Sequence, residues 1–317
     1  MKLRLFYNSA VIATILSYLL IFIGGLVRVS GAGMGCPNWP KCGEGWMPPG
    51  NMDIDQINTT LAWIEFTNRM FGVILGISII VLNVIAIFYF RKKHNSFSTN
   101  KTSLLFYSIL SLIFVVINGI LGGVLVRFEL NPYIKTAHML FALVLVSILS
   151  YICIKSYKIL NPKLFKGLKN NPNLSKSLIF LWVLIVIEIL LGTGIRTNLE
   201  LNSPDFFKEN PLGSIGDLLN TLPSYKYLHS ILGFSLLFLS IYIYLKFRNH
   251  KLYIVQFLSM FIIGMIIVQI FLGYMLVLLE LPQSFQQLTR LFHTWGSSWL
   301  VGVIIILYNC ISDEYAK

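Results

Sequence analysis

Apolar residues fall into eight long runs, roughly at 9–27, 70–90, 104–126, 137–154, 178–195, 227–245, 255–279 and 291–311, with polar and charged residues gathered between them. An α-helix needs about 20 predominantly apolar residues to cross a bilayer. The pattern therefore predicts an all-α integral membrane protein with eight transmembrane helices. The first run follows Met1-Lys2-Leu3-Arg4 in the manner of a signal peptide. No small-residue cleavage site succeeds it, however, and its Gly24-Gly25-Leu26-Val27-Arg28 end recurs later in the chain, so it reads as a retained span.

The runs also contain a repeat. Leu121-Gly122-Gly123-Val124-Leu125-Val126-Arg127-Phe128-Glu129-Leu130 matches Leu272-Gly273-Tyr274-Met275-Leu276-Val277-Leu278-Leu279-Glu280-Leu281 at six of ten positions. Gly24-Gly25-Leu26-Val27-Arg28 parallels Gly192-Thr193-Gly194-Ile195-Arg196, and Asn68-Arg69-Met70-Phe71-Gly72 aligns with His229-Ser230-Ile231-Leu232-Gly233. A duplicated four-span unit has an even number of crossings, so both copies keep one orientation, as in parallel repeats. The expected fold is two pseudo-symmetric four-helix bundles: residues 1–160, a basic linker over 161–176, and residues 177–317.

Composition agrees: the chain is 56% apolar and 12% charged, far from soluble averages. Its net charge of +12 is sorted by side rather than gathered into a nucleic-acid surface. With the N-terminus in the cytoplasm, 16 Lys/Arg lie in the termini and even-numbered connections, including Arg91-Lys92-Lys93, against nine on the other side. The positive-inside rule then places both termini in the cytoplasm.

Histidine placement brings in chemistry. His138, His229 and His293 each lie near the start of an apolar run, and the repeat puts Asn68 at the fourth equivalent position. A lone membrane histidine can serve as an interhelical hydrogen-bonding residue. His229 and His293, in the second and fourth spans of one unit, instead suit axial ligation of a haem iron between helices. A zinc site would want three or four clustered ligands with carboxylate or thiolate, and the spacing offers none. His94 and His250 fall in basic loops and read as solvated. In the N-terminal half, His138 opposite Asn68 would leave a haem iron five-coordinate. Glu65, one turn before Asn68, is placed for acid–base work or for stabilising positive charge. It could equally be an interfacial carboxylate paired with Arg69 at i+4, worth a few tenths of a kcal/mol.

The first outer connection carries Gly35-Cys36-Pro37-Asn38-Trp39-Pro40-Lys41-Cys42. Two cysteines six apart on an oxidising side can close a small disulfide ring, either as a staple or as a redox-active bond. Cys153 and Cys310 lie in or beside apolar runs and read as packing residues.

Taken together, the Cys36/Cys42 loop, Glu65-Phe66-Thr67-Asn68 and the single histidines at 138, 229 and 293 make the chain similar to the haem A synthases over essentially its whole length, in the bacterial form with a two-cysteine loop. The resemblance implies oxidation of the C8 methyl of haem O to a formyl group, giving haem A for terminal oxidase assembly. It implies a haem b cofactor on His229 and His293, a substrate haem in the N-terminal half near His138, catalytic assistance by Glu65, and a Cys36–Cys42 pair tied to redox activity or to protection of the site. The departure is Asn68, where many members carry a histidine. The implied setting is the bacterial plasma membrane, with the active site toward the extracytoplasmic face, haem O synthase as an upstream partner, and a homo-oligomer as one assembly state. Two rivals remain: a b-type cytochrome subunit that relays electrons, and a haem-binding or transfer protein without catalysis.

Overall fold

The computed structural model describes residues 2–43, 45–48, 59–90, 99–165, 172–202, 224–278 and 282–311. The basic run at 91–93, His94, Glu280 and part of the expected 161–176 linker lie outside the described residues.

Among the described residues the fold consists of eight long helices: α1 Lys2–Ser30, α2 Thr59–Phe90, α3 Thr99–Arg127, α4 Pro132–Leu160, α5 Pro172–Asn202, α6 Tyr225–Phe247, α7 Tyr253–Leu278 and α8 Gln283–Ile311. All eight contain stretches long and apolar enough to cross a membrane. Among the described residues there is no strand, only an isolated bridge between Cys42 and Gly45. Most helices overrun their apolar runs: α2 begins at Thr59 rather than near 70, and α8 at Gln283 rather than near 291. The apolar run marks hydrocarbon depth, whereas backbone hydrogen bonding continues into the headgroup region. A helix of 29 residues, such as α4, is roughly 43 Å long, close to the whole bilayer including its polar layers.

Two compact units divide the chain, Met1–Phe165 and Lys166–Lys317. In the first, α1 packs on α2 and α4, and α3 packs on the same two helices. In the second, α5 and α7 each pack on α6 and α8. Each unit is therefore a closed ring of four helices.

Within each ring the dense packing sits at one end. In the first unit, Phe6, Ala10 and Ala13 of α1 meet Leu75, Ile79, Leu82 and Ala86 of α2, Leu104 of α3, and Leu145, Leu149 and Ile152 of α4. The two α1 alanines and Ala86 let helix backbones approach closely, which stands in for hydrophobic drive where the surroundings are themselves apolar. In the second unit most of the fully buried apolar residues lie early in α5 (Leu178, Leu181, Ile185), late in α6 (Ile243, Phe247), early in α7 (Val255, Ile262) and late in α8 (Val301, Ile304, Leu307), with Leu291 buried near His293. The candidate ligand positions fall at the opposite end of both rings.

Serine and threonine hydroxyls inside the spans bond back to their own helices, as in Ser108 to the Leu104 carbonyl (2.8 Å), Ser147 to Leu143 (2.9 Å) and Thr193 to Ile189 (2.9 Å). Those hydroxyls place no demand on hydrocarbon. The α3–α4 turn is sharp. Glu129 and Leu130 take positive φ (49° and 61°), Leu130 N–H reaches the Leu125 carbonyl at 2.8 Å, and Asn131 caps α4 by accepting from Tyr133 N–H at 3.0 Å, with Pro132 as the first helical residue. Leu130 packs against Gly33, where a Cβ would lie 2.8 Å from its Cδ1. The connection after α1 thus braces a turn that non-glycine residues rarely adopt.

Candidate functional site

His229 is the fifth residue of α6, and His293 lies three turns into α8. Their ring centres are 6.4 Å apart, with planes inclined at 74°. An imidazole nitrogen binds a metal at about 2.0–2.1 Å, so two rings on opposite sides of one metal put their centres roughly 6 Å apart. The pair has that spacing. Each ring is given room by a glycine on the neighbouring helix. A Cβ at Gly192 would come within 3.1 Å of His229 Cε1, and one at Gly273 within 3.5 Å of His293 Cε1. Nδ1 of both histidines is buried without an aligned hydrogen bond, although Glu188 Oε1 approaches His229 Nδ1 at 3.0 Å. Among the described residues no group of three or more His, Cys, Asp or Glu could hold a metal ion. Two imidazoles without further protein ligands suit a metal carried in a macrocycle, and the donor set fits haem.

The N-terminal unit repeats this framework with different chemistry. A Cβ at Gly24 on α1 would sit 3.6 Å from Asn68 Oδ1, and one at Gly122 on α3 would sit 4.0 Å from His138 Cε1. Asn68 and His138 thus occupy the places of His229 and His293, each facing the matching glycine. His138 Nδ1 is likewise buried without an aligned hydrogen bond.

Glu65 is 4% exposed, and both of its oxygens are engaged. Oε2 accepts from the Cys36 N–H at 2.8 Å. Oε1 accepts from Arg69 Nε at 3.2 Å and from Nη2 of the same guanidinium. Arg69 then donates to the carbonyls of Cys36 (3.2 Å), Asn38 (2.7 Å) and Lys41 (2.8 Å). Cys36 and Cys42 are disulfide-bonded, so one ion pair on α2 fastens the closed ring to the helix. Gly35 makes this contact possible, since a Cβ there would fall 2.6 Å from the Leu61 carbonyl carbon and oxygen. On its far side the ring lays Trp39 over Gly123 of α3. The i+4 pair with Arg69 that the sequence allowed for Glu65 is present, and it is buried. Removing one partner from such a pair costs several kcal/mol rather than a few tenths.

His250 is half-buried rather than fully solvated. It accepts from the Leu252 N–H at 3.1 Å in the α6–α7 turn, and burial holds its pKa below the usual histidine value. Cys153 contacts Thr14 Oγ1 at 3.2 Å, and Cys310 is buried, in keeping with packing roles. Two features escaped the sequence. Arg69 was visible only as a neighbour of Glu65, because its loop carbonyls have no sequence signature. The glycines were visible as repeat markers, and their register one span before each ligand position was the available clue to their role.

The family described as cytochrome oxidase assembly protein, COX15-CtaA, matches residues 7–305. The heme A synthase of Geobacillus thermodenitrificans is 31% identical over 139 residues, covering 44% of this chain and 38% of that protein. The heme A synthase of Geobacillus kaustophilus is 28% identical over 140 residues, 44% of this chain and 39% of that protein. That of Listeria monocytogenes serotype 4a is 28% identical over 142 residues, 44% and 41% respectively. The chain thus aligns with about two fifths of the length of these curated relatives.

Proposed function

The chain belongs to the COX15-CtaA family of cytochrome oxidase assembly proteins, and on that premise we propose that it makes haem A by oxidising the C8 methyl of haem O to a formyl group. One observation carries the reading: two four-helix rings share a glycine-backed ligand frame, complete in one ring (His229 and His293) and altered in the other (Asn68 and His138). A pure electron relay favours the same ligation in both halves. An enzyme needs one site that retains its group and one that releases it.

In this reading His229 and His293 hold a haem b, which when bound supplies a one-electron relay. His138 holds substrate haem O through a single axial contact. Asn68 lines the opposite face, where its amide is a weak ligand, so product leaves without breaking a second bond. The reaction takes the ring methyl through two hydroxylations to a gem-diol, two electrons passing to an external electron acceptor in each, and the gem-diol then loses water to give the aldehyde. Glu65 sits one turn from Asn68 on α2; its carboxylate, held by Arg69 and the Cys36 N–H, is the acidic group this reading assigns to positive charge developing at the ring edge. The Lys/Arg distribution supports a site facing the extracytoplasmic side of the plasma membrane. An enzyme that makes haem O would then be its supplier.

The test is to incubate membranes containing the full chain with haem O and resolve the pigments by chromatography. Appearance of haem A supports the reading, and return of haem O unchanged would leave a relay or transfer protein. A companion prediction concerns coordination. Asn68→His should convert substrate-bound iron to a largely low-spin spectrum and slow turnover several-fold through delayed release. A fully low-spin spectrum from the substrate-loaded wild type would refute single axial ligation.

A further inference from the structure

Among the described residues, Glu188 is the only acid within the membrane spans of the C-terminal unit. It lies on α5 one turn before Gly192, and its Oε1 is 3.0 Å from His229 Nδ1. Its other oxygen is buried without a hydrogen-bond partner. Room for the carboxylate comes from Gly233, one turn after His229, where a Cβ would fall 3.3 Å from Oε1. The matching residues in the N-terminal unit are Leu20 and Gly72, and a Cβ at Gly72 would meet nothing. His138 and His293 face main-chain carbonyls instead, of Asn118 and Gln269. A carboxylate at membrane depth is costly and marks function by default. This one appears only in the ring with two histidines and only beside His229.

We propose that Glu188 is the positioning residue of this site, accepting the Nδ1–H of His229. The inference rests on the haem-ligand reading of His229 and His293. An acceptor at Nδ1 selects the tautomer whose Nε2 lone pair is free for iron, fixes the ring's rotation, and raises the ligand's basicity. A more basic imidazole favours ferric over ferrous iron, so the contact lowers the potential of the bound haem. The device also distinguishes the two rings. The haem to be kept has a ligand braced by a carboxylate, whereas His138 of the other ring faces only a main-chain carbonyl.

The experiment uses the full chain purified with its own haem, as wild type, Glu188→Leu, Glu188→Gln and His229→Ala. The readouts are haem retained through detergent washing, a redox titration, and the low-temperature EPR signature of the ferric low-spin iron. Glu188→Leu, which installs the residue of the other ring, should weaken haem retention about 10–100-fold. It should also raise the ratio of reduced to oxidised haem at fixed poise roughly tenfold, equivalent to 59 mV for one electron. Glu188→Gln keeps an acceptor oxygen, so retention should be largely restored with a smaller potential shift in the same direction. A Glu188→Leu protein with wild-type potential and EPR signature would overturn the proposal. Should that variant fail to accumulate in membranes, an unchanged potential in Glu188→Gln overturns it equally. Retention of the low-spin haem by His229→Ala would overturn the ligand reading, and this proposal with it.

Discussion

Glu65→Gln is expected to reduce haem A formation at least a hundredfold while leaving the His229/His293 haem in place. A preorganised charge aimed at a developing charge contributes about 2.7–4 kcal/mol when a single group is removed. The substitution keeps volume and can still accept from the Cys36 N–H, but it discards the negative charge. It also loosens Arg69, and through it the disulfide ring, so a control is needed. Arg69→Met breaks the same ion pair and frees the loop carbonyls while leaving the carboxylate in place. If Glu65 acts on the substrate, Arg69→Met should retain at least tenfold more activity than Glu65→Gln when both are assayed for haem A by chromatography. Equal losses would assign Glu65 to fastening the loop alone. Near-normal output from Glu65→Gln would remove it from the chemistry altogether.

The second large effect concerns the retained haem. His229→Ala and His293→Ala should each strip most of the low-spin haem from the purified protein. Loss of a mere outer-shell partner already costs roughly 10–100-fold in metal affinity, and here a direct ligand is lost. His138→Ala should leave that spectrum nearly intact while weakening uptake of added haem O. Pigment content and reduced-minus-oxidised absorption spectra decide the matter. If His138→Ala removes the retained haem, the roles assigned to the two rings are reversed.

Much of this was legible in the chain because membrane spans are written in composition. Eight apolar runs gave eight helices, since a spanning segment must satisfy its own backbone and so must be helical. The missing information was of two kinds. Helix ends were misplaced wherever the first turns are polar, as at Thr59 and Gln283, because apolar length measures the hydrocarbon and not the helix. Contacts between a helix and a loop were also silent. Arg69 looked like an i+4 partner of Glu65, yet its guanidinium organises the Cys36–Cys42 ring through main-chain oxygens that every residue possesses. Glu188 is visible in the sequence as an acid within the apolar run at 178–195, but pairing it with His229 needs the lateral order of helices, which a one-dimensional pattern does not carry.

The placement of dense packing at one end of each four-helix ring has a consequence for inheritance. After a duplication, both copies must keep whatever holds them folded, but only one need keep its chemistry. Here those two obligations fall largely on different residues along the same helices. Phe6, Ile79, Leu149 and their neighbours answer for persistence, whereas Asn68, Glu65 and Glu188 occupy ground where exchange of one polar residue for another leaves the interlocked end untouched. Divergence could therefore proceed at the mouth of each ring with the interlocked end of the scaffold unchanged. On the proposed reading, two copies of one scaffold would in this way be free to become a keeper and a converter of the same kind of molecule.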